Sequence, residues 1–185
     1  MHTFQTVKSF ADVEILPAGV PAQDFLAASD GLLQLFDLLG HGVFTFIQAD
    51  IRSNISGLRS RVNTHNDPTL EAVLAASDHN ATGCLVRLIR GFRYVCRALS
   101  TMQAHPELEL YVCFKLAYDQ VLRQFHSTIV RSLVAVAIRA APSRKDFYTR
   151  IGQGGDPEEL DEELSKWLAG LDKIVSHMSR LLPYH

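Results

Sequence analysis

Asp50 and Asn54 stand one helical turn apart inside FTFIQADIRSNISGL, residues 44–58, an otherwise apolar stretch. Around them Phe44, Ile47, Ile51, Ile55, Leu58 and Val62 repeat at the three- and four-residue spacing of one buried helix face. At about 100° per residue, Asp50 lies beside that face and Asn54 about 40° round from Asp50. Two readings are open. The pair is either a solvated helix flank or a polar site at the edge of an oily interior, where a carboxylate has to be hydrogen-bonded.

Three further places put polar groups among apolar ones. CLVRLIRGFRYVCR carries Arg87, Arg90, Arg93 and Arg97, spaced to keep their guanidiniums near one side of a helix. A solvated basic face would look the same, although Leu88, Ile89, Phe92 and Val95 crowd the intervening positions. His126 separates LAYDQVLRQF from IVRSLVAVAI, as a satisfied core histidine or as a ligand-binding group. APSRKDFYTR is a basic, aromatic patch at a helix turn, a composition also common on plain surface.

Catalysis is not expected from these groups. Asp50 with His126 could serve as an acid/base dyad, but no nucleophile stands in a recognisable context. There is no GxSxG. Cys84, Cys96 and Cys113 lie in hydrophobic runs that raise a thiol's pKa, and they lack CxxC spacing. Neither HExxH nor any clustered His/Cys spacing points to a metal, and no cofactor is implied.

The elements that must position these residues read as helices throughout. Phe4, Val7 and Phe10 suggest a short first helix, and Pro21 opens a second that runs to Leu39. Gly40-His41-Gly42 breaks the chain before the central helix, which continues to about Asn63. Asp67-Pro68 reads as the cap and first turn of a helix carrying Leu70, Val73 and Leu74. A long helix follows from about Ala81 to Met102, then an amphipathic one from Leu108 to Phe125. IVRSLVAVAIRAA should be a core helix. Ser143 with Asp146 resembles a capping box, and Asp156-Pro157 starts a last helix through Leu160, Trp167 and Met178. With no strand alternation or tandem repeat, the fold class is all-α, about eight helices in a single domain spanning residues 1–185.

Composition narrows the partners. The chain is 47% hydrophobic and 21% charged, ordinary for a globular protein of this length. A net charge of −2 and 20 acidic residues argue against nucleic acid. No signal peptide is visible and no run reaches the ~18 apolar residues of a membrane span, so a cytoplasmic protein is expected.

DIxxNI on one helix, RLIRGFR on a long helix, a histidine ahead of an apolar helix, and AAPSRxDF closing it occur here in that order. Over about Phe44 to Tyr148 the chain resembles the glycolipid transfer protein superfamily. The resemblance implies a two-layer helical sandwich enclosing a lipid pocket, and intermembrane transfer of one sphingolipid per protein. It implies that Asp50, with Asn54, binds the headgroup end and accepts the ceramide amide N–H, while His126 donates to the ceramide carbonyl. A carboxylate supplies only acceptors and an imidazole N–H a donor, so the two can satisfy both ends of an amide entering an apolar pocket. Each buried methylene contributes about 0.8 kcal/mol relative to water.

Departures from the family pattern bear on the headgroup. Arg87 stands where glycolipid-selective members place a sugar-stacking tryptophan, and the only tryptophan, Trp167, lies in the last helix. Arg87 and Arg90 match two phosphate-binding positions of the ceramide-1-phosphate branch, and guanidinium suits phosphate oxygens. That branch's third arginine falls on Gly83 and its lysine on Asn54, while the glycolipid branch's lysine falls on Gly57. The expected ligand is therefore a sphingolipid with an anionic, ceramide-1-phosphate-like headgroup. A neutral glycosylceramide is the alternative, as is a lipid sensor or interaction module. Membrane docking is expected at the turn from Pro142, where Arg139, Arg144, Lys145 and Arg150 would meet lipid phosphates and Phe147 and Tyr148 the interface. Thr128 replaces a tryptophan that glycolipid members carry two residues after the histidine. A monomer with transient, peripheral membrane contact is expected.

Overall fold

The computed structural model describes residues 7–39 and 45–182. Phe4, the Gly40–Gly42 break and Phe44 lie outside the described residues. Within them the chain forms eight α-helices: α1 (Ala22–Leu39), α2 (Thr45–His65), α3 (Leu70–Ala75), α4 (His79–Ala104), α5 (Leu110–Val121), α6 (Thr128–Arg139), α7 (Arg144–Gly152) and α8 (Pro157–Ser179). Two 3-10 turns, Phe10–Asp12 and Arg123–Phe125, complete the regular structure. Extended pairing among the described residues is limited to isolated bridges at Leu16–Gly19 and Pro21–Thr69. The all-α expectation holds.

The longest helix, α4, is the centre of the molecule because its apolar residues cover most of its circumference. It packs against α2, α5 and α8, burying Leu85, Leu88, Ile89, Phe92, Val95 and Leu99. Phe92 closes an aromatic cluster in which Phe10 meets Trp167 at 5.4 Å, Phe92 at 5.7 Å and Phe25 at 6.2 Å between ring centroids. Such edge contacts suit the ring quadrupoles. Gly170 lets α8 approach this cluster: a Cβ there would fall 2.4 Å from the Ala11 nitrogen. Glu71 ties the N-terminal segment to α8, accepting from the Val20 amide at 2.8 Å and meeting His177 Nε2 at 2.7 Å.

Several boundaries differ from the sequence reading. Before α1 the described chain holds only the 3-10 turn, capped by the Ser9 hydroxyl. Thr69, not Asp67, caps α3 by accepting from the Ala72 amide, while Asp67 pairs with Arg61 at 2.8 Å. Asp78 caps α4 two residues ahead of the expected start. The amphipathic run expected to Phe125 leaves α-geometry at Val121. Ser143 and Asp156 cap α7 and α8 where the sequence places them.

The helix expected to be a core element is only half one. α6 buries Val134, Ala137 and Ile138, but Ile129, Leu133 and Val136 are 75%, 51% and 54% exposed. Those three sit four and three residues apart, so they form one apolar stripe facing water.

Candidate functional site

A cavity of about 490 Å³ opens between α2, α4, the end of α5 and α6. Its interior is apolar, with Phe36, Leu88, Val95, Phe114, Val134 and Ile138 on its walls. Asp50, Asn54, Arg87, Arg90 and His126 all line the same cavity. Residues up to 76 positions apart in the chain are thus gathered at one place.

Asn54 is buried and organises the α2 side. Its Nδ2 donates to the Asp50 carbonyl at 2.8 Å and to Asp50 Oδ2 at 3.2 Å. Its Oδ1 accepts from Arg87 Nη1 at 3.3 Å, which links α2 to α4. Asp50 remains exposed, and its Oδ1 makes no hydrogen bond among the described residues. The carboxylate is therefore oriented by one oxygen and open at the other. Arg90, half-buried one turn along α4, lays its guanidinium over the Phe125 ring at 3.7 Å. Burial lowers its pKa from the ordinary value, yet an arginine this basic stays charged.

His126 sits where the 3-10 turn Arg123–Phe125 meets α6, with Ser127 capping that helix. Its Nδ1 lies 3.0 Å from the Tyr118 hydroxyl. Burial pushes the imidazole below the ordinary histidine pKa; Asp50's charge pulls the other way and Arg131 adds to the lowering. The neutral ring carries one N–H. The Tyr118 phenol, itself pushed up by burial, stays protonated and shares one hydrogen bond with Nδ1. The cavity is thereby flanked by an open carboxylate acceptor and an imidazole carrying one N–H and one acceptor nitrogen. Tyr118 is the partner of His126 that pattern reading missed, because its tyrosine sat unmarked in an amphipathic run.

Two glycines shape the same region. A Cβ on Gly57 would fall 2.7 Å from Cys84 Sγ, so α2 and α4 meet there without room for a side chain. At Gly83 a Cβ would lie 3.6 Å from Arg87 Nη2, in ordinary contact. Arg59 and Arg61 turn away to Asp30 and to Asp67 and Asp78. The three cysteines are buried; burial raises the Cys113 thiol pKa, and burial with Asp172's charge pushes Cys96 up to about 11. Such thiols are poor nucleophiles.

The expected docking patch divides. Phe147 is fully buried, bordering a small void with Phe36, Val95 and Phe114 beneath the cavity. It cannot sit at a membrane interface. Tyr148 is half-buried and donates to Asp161 Oδ1 at 2.7 Å. Arg144 Nη1 donates to the carbonyls of Met102 at 2.6 Å and His105 at 3.3 Å, satisfying the end of α4. Arg139, Lys145 and Arg150 are exposed. Exposed apolar side chains lie instead on the outer stripe of α6.

Comparison with known proteins bears on the fold and the family. The family profile described as Glycolipid transfer protein (GLTP) matches residues 20–153. The chain is 33% identical over 186 residues to a "Glycolipid transfer protein" of Aureobasidium melanogenum, covering 97% of this chain and 92% of that one. It is 29% identical over 195 residues to "Pleckstrin homology domain-containing family A member 8" of Mus musculus, of which it spans 37%. Among solved structures, the fungal glycolipid transfer protein HET-C2 superposes with a TM-score of 0.91 at 32% identity, covering 98% of this chain and 97% of that one. Mouse ceramide-1-phosphate transfer protein superposes at 0.86 with 22% identity, covering 98% and 95%, a likeness of fold alone.

Proposed function

Because the chain belongs to the glycolipid transfer protein family, we propose that it carries one sphingolipid at a time between membranes, binding the ceramide without chemically altering it. The carrying observation is that Asp50 and His126 line one apolar cavity, the first with an open carboxylate oxygen and the second hydrogen-bonded at Nδ1 to Tyr118; donation by Tyr118 would leave the ring proton on Nε2 for the lipid. An amide leaving the bilayer interface needs one acceptor and one donor, and an unpaired amide in an apolar pocket costs several kcal/mol. The hydrocarbon chains enter the space between α2, α4, α5 and α6.

The headgroup reading is an anionic, phosphate-type group held by Arg87 and Arg90. Arg87 is oriented by Asn54, Arg90 by Phe125, and the chain's tryptophan is locked in the core rather than available for sugar stacking. A neutral glycosylceramide is the second reading, favoured by the intact Asp50–Asn54 pair and by 32–33% identity to proteins named for glycolipid transfer.

Docking uses the outer stripe of α6, Ile129, Leu133 and Val136, against a bilayer surface. The opposite side of the same helix lines the cavity through Val130, Val134, Ala137 and Ile138. A lipid crossing at α6 therefore passes from membrane to cavity without exposing its chains to water. Lys145 adds a cation nearby, and contact is transient and made by a monomer.

The test is vesicle-to-vesicle transfer of fluorescent ceramide-1-phosphate and galactosylceramide, side by side, with Arg87→Leu and Asp50→Val. Transfer of the phosphate lipid, lost in Arg87→Leu, supports the phosphate reading. Transfer of galactosylceramide alone selects the glycolipid reading. Asp50→Val transferring both lipids at the wild-type rate would sink the amide assignment.

A further inference from the structure

The arginine series on α4 does not end at the lipid cavity. Arg93 and Arg97 turn into a separate cleft of about 650 Å³ bounded by α4, the end of α5 and α8. Arg90 and Phe125 line both spaces, so the stacked guanidinium and ring form the partition between them. The two cavities differ in chemistry: the lipid cavity is walled mainly by carbon, and the cleft mainly by polar side chains.

Among the described residues, three arginines face this cleft against one carboxylate, Asp172, in a chain whose net charge is −2. Arg97 is held by donation of its Nε to Gln120 Oε1 at 3.2 Å, which leaves its terminal amino groups for another acceptor. Arg93 makes no hydrogen bond or ion pair among the described residues. Cations on successive turns of one helix repel, and they are tolerated at lowest cost where an anion joins them. The volume falls in the range of small-ligand sites. Planar guanidiniums with free N–H groups suit a phosphate bearing two negative charges.

We propose that this cleft is a second binding site, separate from the lipid cavity, for a phosphomonoester or diphosphate group held by Arg93 and Arg97 with Arg90 behind them. Asp172 repels any anion in the cleft, but Arg93 and Arg97 outweigh it, so the net attraction grows with the negative charge of the ligand. The group arrives either on a soluble molecule or on the headgroup of a lipid such as phosphatidic acid.

Isothermal titration with sodium pyrophosphate at low ionic strength tests the soluble source. Sedimentation with phosphatidylcholine vesicles, with and without phosphatidic acid, tests the lipid source. The cleft variant is Arg93→Gln with Arg97→Gln; a charge-matched control is Arg52→Gln with Lys115→Gln, both exposed residues elsewhere. The expected result is saturable one-to-one binding of at least one probe, weakened roughly tenfold or more in the cleft variant and unchanged in the control. Pyrophosphate response assigns a soluble ligand; response to phosphatidic acid alone assigns a headgroup. No binding of either probe, or equal loss in both variants, overturns the proposal. Neither measurement uses sphingolipid transfer, so a chain that transfers no lipid yet takes pyrophosphate here would refute the proposed function and leave this site standing.

Discussion

The Tyr118 hydroxyl lies 3.0 Å from His126 Nδ1, a hydrogen bond that ties the histidine of the cavity to α5. Replacing Tyr118 by Phe removes that hydroxyl while keeping the ring that packs against Tyr94 and His126. The imidazole then loses its tie to α5. Transfer should slow by roughly three- to tenfold, the worth of one neutral hydrogen bond, with the helical circular dichroism unchanged. An unaltered rate would show that the histidine is held elsewhere.

His126 should titrate below the ordinary value of 6.5, because burial penalises the imidazolium. Asp50 is the group that raises it, so Asp50→Asn should lower the midpoint further. As pH falls below 6.5 the unfolded chain takes this proton before the folded one does. The stability tied to the neutral ring is thus complete above 6.5 and drains away on acidification below it. Histidine NMR titrations of the two proteins read both effects; a rise in Asp50→Asn would contradict the assignment.

Phe147 and the α6 stripe should separate folding from docking. Phe147→Ala empties a fully buried site and should cost about 3–5 kcal/mol in denaturant unfolding. Ile129→Ser with Leu133→Ser removes exposed apolar surface, so stability should change little while vesicle binding falls severalfold. Equal vesicle binding by the Ser variant would remove α6 from the docking surface.

Arg144→Gln should behave as a folding variant. Its guanidinium satisfies two carbonyls at the end of α4, and charge-assisted bonds of this kind contribute about 1.5–3 kcal/mol. Lys145→Gln, one residue on and exposed, should leave the unfolding midpoint in place and weaken binding to anionic vesicles. Thermal unfolding beside sedimentation distinguishes the two; matching losses of stability would refute the division.

Gly57→Ala should destabilise the protein, since its Cβ would fall 2.7 Å from Cys84 Sγ. Cys84→Ala in the same chain should restore part of the loss by removing the opposing sulfur. A double variant no more stable than Gly57→Ala would place the strain elsewhere.

The sequence alone determined the helical class, the caps at Ser143 and Asp156, and the adjacency of Asp50 to Asn54. Each of these rests on local chemistry: a 3.6-residue period, a side chain reaching an amide two or three residues on, or neighbours one turn apart. The four-motif order also pointed to the family that the comparison established. Tertiary structure decided the rest, because burial depends on what packs against a helix and not on the helix itself. Phe147 and Ile129 are equally apolar in sequence, yet the first lies under the cavity and the second faces water. Arg87 and Arg93 belong to one ladder, but α2 meets α4 beside Arg87 while α5 and α8 wall off the cleft at Arg93. A helix carries its side chains round a cylinder, and only its neighbours divide that cylinder into separate sites.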